Sequence, residues 1–180
     1  MRIVAGDWRG RGLEAPKGDG TRPTADRTRE TLFNMLASRL GSFDGLAVVD
    51  LFAGSGALGL EALSRGASFC LFVEQDKAAV QVIENNIRAL DCRTRARVHA
   101  GSVMQLGPAK QAHDLLLLDP PYRTGAGAVA LDRLLRLGWI DKSSWLALET
   151  SADEAFNLRG FAIEAERKVG KAMVRLLRAA

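Results

Sequence analysis

A polar segment, DPPY at residues 119–122, directly follows a run of leucines and could do chemistry on an amine. Asp119 offers carboxylate oxygens and Pro120 offers a backbone carbonyl, and both groups accept hydrogen bonds. A nucleobase amine is a poor nucleophile until acceptors hold its hydrogens, because its lone pair is delocalised into the ring. Pro120 and Pro121 fix φ at about −65°, and the ring of Tyr122 could stack on a base. The segment predicts an amine-activating site, although Asp-Pro-Pro could also simply end a strand.

A glycine-rich segment after an earlier apolar run predicts a nucleotide-binding turn. Gly54, Gly56 and Gly59 have the spacing G-x-G-x-x-G, which lets a backbone turn tightly and approach a ligand closely. Glu74 follows Gly54 by 20 residues at the end of the next predicted strand, where a carboxylate can accept the hydroxyls of a ribose. The two features together predict a cofactor that carries adenosine, whereas the glycines alone could serve packing.

Asp50, four residues before Gly54, bears on which cofactor binds. A dinucleotide places its pyrophosphate at the helix N-terminus, and a nearby carboxylate would repel that group. S-adenosylmethionine instead carries a sulfonium and an ammonium group, which a carboxylate attracts. Asp50 therefore favours S-adenosylmethionine over NAD, and a structural role in capping the glycine loop is compatible with the same position.

The segments that must position these residues alternate between strand and helix patterns. Predicted strands cover residues 46–51, 68–74, 95–101, 114–119 and 144–150, and predicted helices cover 57–65, 76–90 and 127–138. Apolar strands that alternate with helices form a parallel sheet covered on both faces. The sequence therefore predicts a doubly wound, Rossmann-like α/β fold. Ligands of such folds bind beyond the carboxyl ends of the strands, where the winding direction reverses, and both motifs follow strand ends.

The two ends of the chain extend this core. The leading segment RIVAGDWRGRGLEAP predicts a small hairpin, and a helix follows it. Apolar side chains on one face of that helix are Leu32, Phe33, Leu36 and Leu40. Segments 161–169 and 171–178 predict an antiparallel strand pair. We therefore expect an RNA-contacting arm and helix at 1–42 and a cofactor-binding domain at 43–180.

Basic charge is concentrated at the start of the chain. The formal net charge is +4, and residues 1–29 hold seven of the 25 basic and four of the 21 acidic side chains. A basic segment attracts a phosphate backbone, because binding releases condensed counterions. Arg9 and Arg11, which flank Gly10 next to Trp8, are candidates for RNA contact, and a merely solvated arm explains the charge equally well.

Membrane insertion and metal binding are not predicted. No apolar run approaches the roughly 20 residues that span a bilayer, and the N-terminus lacks the apolar core of a signal peptide. We therefore expect a cytoplasmic protein. His99 and His113 are isolated, and Cys70 and Cys92 lack a metal-ligand spacing.

Three segments together give the sequence a family resemblance. RPTADRTRETLFNML at 22–36, DLFAGSGALGLEALSRGA at 50–67 and DPPY at 119–122 resemble the bacterial small-subunit ribosomal RNA guanine-N2 methyltransferases of the RsmD type. The resemblance covers nearly the whole chain. It implies an S-adenosylmethionine-dependent fold with a seven-stranded sheet whose last strand is antiparallel. It also implies methylation of one guanine amine in 16S ribosomal RNA, within an assembling 30S subunit, by a protein that we expect to be a monomer.

The resemblance also assigns roles to individual residues. The methionine side of the cofactor would contact Asp50, Phe52, Gly54, Ser55 and Gly56. The ribose would bind Glu74, and the adenine would lie near Ser102. The target amine would be held by Asp119, Pro120, Pro121 and Tyr122. The mouth of the site would be lined by Arg22, Thr24 and Arg27, for which helix capping and surface charge are the alternative roles.

Two other functions fit parts of the same pattern. An amino-methyltransferase of adenine or cytosine in DNA would also use DPPY, but the chain has no long insertion for recognising a DNA target. A non-methylating nucleotide-binding or NAD-dependent protein would use DPPY only as a strand end. Asp50 and the basic leading segment count against that second function.

Overall fold

The computed structural model describes residues 1–18 and 23–180, which contain four α-helices and seven β-strands. The helices are α1 (Pro23–Leu40), α2 (Ala57–Ser64), α3 (Lys77–Ala89) and α4 (Ala126–Arg136). The strands are β1 (Ala47–Leu51), β2 (Phe69–Glu74), β3 (Ala96–Ala100), β4 (Leu115–Leu118), β5 (Trp145–Ser151), β6 (Phe161–Val169) and β7 (Ala172–Ala179). Within the two described ranges, every helix is too short or too polar to cross a bilayer.

All seven strands join one sheet in the order β3-β2-β1-β4-β5-β7-β6. The neighbouring strands from β3 to β5 are parallel, and β7 runs antiparallel to both of its neighbours. The predicted doubly wound fold and its antiparallel last strand are therefore confirmed. The winding reverses between β1 and β4, which places the predicted ligand crevice at the carboxyl ends of these two strands.

The leucine run forms β4, the strand at the centre of the sheet. Leu115 and Leu117 pack into the core on one face, and Leu116 and Leu118 pack into the core on the other. The alternation follows from strand geometry, because successive side chains point to opposite faces. All four leucines are fully buried, and burying each contributes about 1.5–3 kcal/mol. The end of this strand, and with it Asp119, is therefore firmly placed.

The N-terminal arm, residues 1–16, folds back on itself as a short hairpin without extended strands. An antiparallel bridge between Arg2 and Gly12 and three further backbone hydrogen bonds join its two sides. The arm also packs closely against α2. A Cβ at Gly6 would lie 2.0 Å from the carbonyl oxygen of Ser64, so only glycine allows this approach. The arm is therefore held both by its own backbone hydrogen bonds and by its contacts with α2.

Helix α1 shares its core with the sheet. Leu32, Phe33 and Leu36 are buried in the same cluster as Leu115 and Leu117, as the predicted apolar face requires. The core is thus continuous across the predicted boundary between residues 42 and 43. The division of the chain into two units at that point stays a prediction.

Candidate active site

Four side chains stand side by side at the carboxyl edge of the sheet. The strands are in register there, with the pairs Val73 to Leu51, Leu51 to Leu118 and Leu118 to Leu148. The next residues along these strands form what we call the carboxyl-end row, in the order Glu74, Phe52, Asp119 and Glu149. Neighbouring strands lie about 4.8 Å apart. The row therefore brings the two predicted motifs together and adds a third carboxylate.

The glycine loop between β1 and α2 has backbone geometry that its sequence requires. Phe52, Gly54 and Gly56 have φ angles of 59°, 58° and 81°. A positive φ is rare for a residue with a side chain, and at Phe52 it marks local strain of the kind found at functional sites. No atom of the described residues lies within 4 Å of a Cβ built at Gly54, so within that part of the chain its backbone faces open space.

Gly59 serves helix packing, unlike Gly54. A Cβ at Gly59 would lie 2.4 Å from the ring of Phe72 and 2.6 Å from the sulfur of Cys70. Both of these side chains are fully buried and have no room to move aside. Of the three glycines of the predicted motif, Gly54 thus faces the crevice side, whereas Gly59 and, less tightly, Gly56 face core side chains.

This split gives a testable difference between two alanine variants. Gly54→Ala is expected to lower the free energy of unfolding by about 1–2 kcal/mol, from the left-handed backbone alone, and to weaken S-adenosylmethionine binding at least about tenfold. Gly59→Ala is expected to lower the free energy of unfolding by about 1–3 kcal/mol through overpacking. The cofactor affinity of the folded Gly59→Ala protein should change little. Urea unfolding and calorimetric titration measure the two effects. Equal loss of affinity in both variants would contradict the assignment.

Glu74 fixes the glycine loop to the neighbouring strand. Its carboxylate accepts hydrogen bonds from the backbone N–H of Gly54 at 2.8 Å and of Asp76 at 2.9 Å. Each carboxylate oxygen has a further lone pair after these bonds. The predicted ribose-binding residue is thus pre-oriented at the edge of the crevice, and its role toward a ribose stays a prediction.

Asp50 lies beneath the glycine loop and caps α2. Its Oδ2 accepts a hydrogen bond from the backbone N–H of Gly59 at 2.9 Å, and its Oδ1 has no partner among the described residues. Burial raises the pKa of this carboxyl well above its ordinary value, and the negative charges of Asp119 and Glu74 add to the rise. The structure thus shows the capping role. A role toward the cofactor stays a prediction.

A two-lobed crevice opens above the carboxyl-end row. The first lobe, about 440 Å³, lies between the row and the N-terminal half of α1, and Asp26, Thr28 and Glu149 are among the residues that line it. The second lobe, about 500 Å³, lies on the side of Glu74 and Ser102. The lobes meet at Phe52, Asp119 and Tyr122, which line both of them. Two ligands could therefore meet at these three residues.

The DPPY segment is rigid at its base and open at its tip. Pro120 is buried against α4, where a Cβ at Gly127 would lie 3.0 Å from the proline ring. The hydroxyl of Thr124 donates to the carbonyl of Pro121 at 2.8 Å. Tyr122 is 44% exposed, which leaves ring surface for stacking. These contacts fix the base of the segment, and its role toward an amine stays a prediction.

Ser102 lies at the second lobe, where the resemblance places the adenine. It begins a short 3₁₀ helix, Val103–Gln105, as its capping residue. Its hydroxyl accepts from the backbone N–H of Met104 at 3.1 Å, and its own N–H donates to the side chain of Gln105. Ser102 therefore fixes the lobe wall, and contact with an adenine stays a prediction.

The predicted RNA-binding arginines do not gather at the crevice. Arg9 and Arg11 are exposed, and Arg11 donates to the carbonyl of Ala89, the last residue of α3, at 2.7 Å. That helix ends at the amino edge of the sheet, opposite the crevice. Arg27 is exposed in the first turns of α1, close to the first lobe. Arg22 and the side chain of Thr24 lie outside the described residues.

A buried charged cluster behind the first lobe was not predicted. Glu61 on α2 is fully buried and accepts hydrogen bonds from the backbone N–H groups of Val4 and Ala5 at 2.9 and 3.0 Å. It also pairs with Arg65 at 3.0 Å and with Arg29 of α1 at 3.7 Å. The cluster ties the arm and α1 to α2. The sequence contained one indication, a single acid within the otherwise apolar helix ALGLEALS.

Glu149 was also missed, although it resembles Glu74 in position. It lies in the carboxyl-terminal half of β5, in the segment WLALETS. Its Oε1 accepts a hydrogen bond from the hydroxyl of Tyr122 at 2.5 Å. An acid near the end of a buried strand is the pattern that identified Glu74, and the same reasoning would have found Glu149.

The fold and the crevice define a Rossmann-like methyltransferase: a seven-stranded sheet with an antiparallel last strand, a glycine loop after β1 and DPPY after β4. The chain belongs to the RsmD family, whose model, described as Conserved hypothetical protein 95, matches residues 1–178. The resemblance noted from the sequence is thereby confirmed.

Two curated relatives and two solved structures show how close the similarity is. The chain is 35% identical over 178 residues to Ribosomal RNA small subunit methyltransferase D of Escherichia coli, covering 98% of this chain and 88% of that protein. It is 38% identical over 158 residues to the protein of the same name from Haemophilus influenzae, covering 86% of this chain and 80% of that protein. The structure of a putative methyltransferase, yhhF, from Escherichia coli superposes with a TM-score of 0.85 at 34% identity, covering 99% of this chain and 97% of that one. The structure of the putative methylase HI0767 from Haemophilus influenzae superposes with a TM-score of 0.82 at 32% identity, covering 99% of this chain and 98% of that one.

Proposed function

We propose that this protein transfers a methyl group from S-adenosylmethionine to the exocyclic N2 amine of one guanine in 16S ribosomal RNA. The observation that carries the proposal is the carboxyl-end row, which places Asp119 where the two lobes of the crevice meet. Family membership supports the same class of reaction, since the Escherichia coli relative is named a ribosomal RNA small subunit methyltransferase.

The second lobe and the glycine loop fit S-adenosylmethionine. Gly54 has open space where a side chain would stand, and Glu74 is held beside it by a hydrogen bond to the Gly54 N–H. We assign Glu74 to the ribose hydroxyls, Ser102 to the adenine end, and Phe52, Ser55 and Gly56 to the methionine side. When bound, S-adenosylmethionine supplies an electrophilic methyl group on a positively charged sulfonium. Asp50 is buried below the loop, and in its ionised form its carboxylate favours a cation above it.

Asp119 and Pro120 prepare the amine for this methyl group. The carboxylate of Asp119 and the carbonyl of Pro120 accept the two amine hydrogens, which turns the lone pair out of the plane of the base. The ring of Tyr122 stacks on the base and fixes its distance from the row. Catalysis is then mainly positioning, and one amine proton passes to the Asp119 carboxylate after transfer. Pro121 keeps the segment rigid.

The positions of the arginines favour a large, structured RNA substrate. Arg27 lies near the crevice, whereas Arg9 and Arg11 lie at the opposite edge of the sheet. A strand of five residues such as β1 spans about 17 Å, so one substrate that touches both groups must be much larger than a nucleotide. We propose an assembling 30S subunit as that substrate, methylated by a monomer in the cytoplasm.

The experiment combines binding and product analysis. Calorimetric titration of the full chain should show S-adenosylmethionine binding far more tightly than NAD. Incubation with 30S subunits from cells that lack the gene, with a deuterated methyl donor, should place the label on N2 of one guanine, as seen by mass spectrometry of the nucleosides. Label on adenine or cytosine would contradict the proposed base, and preferred binding of NAD would contradict the proposed class.

A further inference from the structure

Glu149 occupies a position in the crevice that the proposed reaction has not yet used. It is the register neighbour of Asp119 on the adjacent parallel strand, and both residues line the first lobe. Their carboxylates therefore face the same space, one strand spacing apart. No Lys or Arg among the described residues forms an ion pair with Glu149. The only hydrogen bond recorded for its carboxylate within the described chain comes from the Tyr122 hydroxyl.

Two neighbouring acceptors suit only one of the amine-bearing bases. Guanine presents its N2 amine next to a protonated ring nitrogen, N1, so its edge offers two adjacent N–H donors. Adenine and cytosine present their amines next to an unprotonated ring nitrogen, which is an acceptor. A second carboxylate beside Asp119 would gain a hydrogen bond from guanine and would repel the ring nitrogen of adenine or cytosine.

We propose that Glu149 determines the base specificity of this site by accepting the N1–H of the target guanine while Asp119 holds its N2 amine. The inference rests on the proposed function and explains why that function selects guanine. Glu149 contacts the substrate directly in this arrangement, and Tyr122 orients it.

The surroundings of Glu149 leave one of its carboxylate oxygens able to accept a hydrogen bond from a ligand. The hydrogen bond from Tyr122 engages Oε1 at 2.5 Å, which directs the carboxylate toward the crevice and stabilises its ionised form. Burial raises the pKa of Glu149 above its ordinary value, and the Tyr122 hydrogen bond opposes that rise. A donor from the bound base would oppose it further. The second oxygen of the carboxylate, Oε2, can therefore accept an N–H from a base that enters the first lobe.

The test compares two bases that both carry a C2 amine. Guanine has the N1–H, whereas 2-aminopurine has an unprotonated N1. Each is placed at the mapped target position of 16S RNA assembled into 30S subunits. The wild-type protein should prefer guanine by at least about a hundredfold in kcat/KM, because a site built for a donor rejects a base that lacks it. Glu149→Gln can turn its amide N–H toward N1, and should reduce that preference at least about tenfold.

Tyr122→Phe is the matched control, because it keeps the ring and the Glu149 carboxylate but removes the hydrogen bond between them. It should slow both substrates to a similar extent and reduce the preference for guanine much less than Glu149→Gln does, because the carboxylate that accepts the N1–H remains. A preference that shifts as much in Tyr122→Phe as in Glu149→Gln would show that Glu149 acts only through Tyr122 and would overturn the inference. An unchanged preference in Glu149→Gln would overturn it as well.

A substrate-side measurement keeps the test independent of how the variants fold. Wild-type protein that methylates 2-aminopurine as efficiently as guanine would refute the role of Glu149 without any mutation. Wild-type protein that fails to methylate guanine would instead refute the proposed function itself. Calorimetric titration with S-adenosylmethionine verifies that each variant is folded.

Discussion

Asp119→Ala is expected to lower the rate of methyl transfer by about a hundredfold to ten-thousandfold, the range that a positioned acid or base contributes. Asp119 stands where both lobes meet, and its carboxylate lines both of them. Its loss leaves the amine lone pair delocalised into the base. The affinity for S-adenosylmethionine should change little, because the substitution leaves Glu74 and the glycine loop, the proposed cofactor contacts, unchanged.

Single-turnover kinetics with excess enzyme would isolate this effect from product release. Asp119→Asn serves as a second variant, since it keeps one acceptor oxygen but turns an N–H toward the amine, and it should be about as slow. Asp153→Asn is the matched control, an exposed carboxylate that pairs with Arg123 outside the crevice. Turnover of Asp119→Ala within threefold of the wild-type rate would show that another residue holds the amine.

Local patterns in the sequence were sufficient to predict the fold. The alternation of leucines across the two core clusters and the spacing of the glycines are properties of single segments, and each segment folds as its pattern indicates. Predicted element ends differ from the observed ones by a residue or two. The strand ending at Leu118 is an example, because Asp119 extends the run in sequence but does not pair in the sheet.

The structure brings together those candidate residues that lie at the carboxyl ends of strands. Glu74 and Asp119 meet at the crevice because strand ends of a doubly wound sheet converge at one edge. Glu149 obeys the same rule and became visible once β5 was placed in register beside β4. The distribution of Arg9 and Arg11 could not be predicted, because it depends on how the arm crosses α2 through contacts more than 50 residues apart in the chain.

Asp50 shows how stability and binding are coupled at this site. A carboxyl with a raised pKa in the folded state favours the protonated form, so the ionised group opposes folding at neutral pH and this cost disappears as the pH falls below its unfolded pKa. A cation bound above the loop would offset the same cost. If the proposed cofactor binds there, the cost of ionising this buried carboxyl would be offset by the positive charge of the ligand.

Glu61→Gln is expected to lower the free energy of unfolding by about 3–5 kcal/mol, because removing one member of a buried ion pair leaves the other charge uncompensated. Glu61 is fully buried, and Arg65 would keep no carboxylate partner among the described residues. The neutral amide also turns an N–H toward backbone donors of the arm, Val4 and Ala5. Urea unfolding followed by circular dichroism measures the change.

The same substitution should also widen the first lobe, because Glu61 anchors both the arm and, through Arg29, helix α1. We therefore expect weaker RNA binding with nearly unchanged S-adenosylmethionine affinity in protein that remains folded. Asp132→Asn is the control, since its pair with Arg136 is exposed on α4 and such pairs contribute at most about 1 kcal/mol. If Glu61→Gln and Asp132→Asn lost equal stability, the buried cluster would contribute no more than a surface ion pair does. The arm would then have to be held by its other contacts.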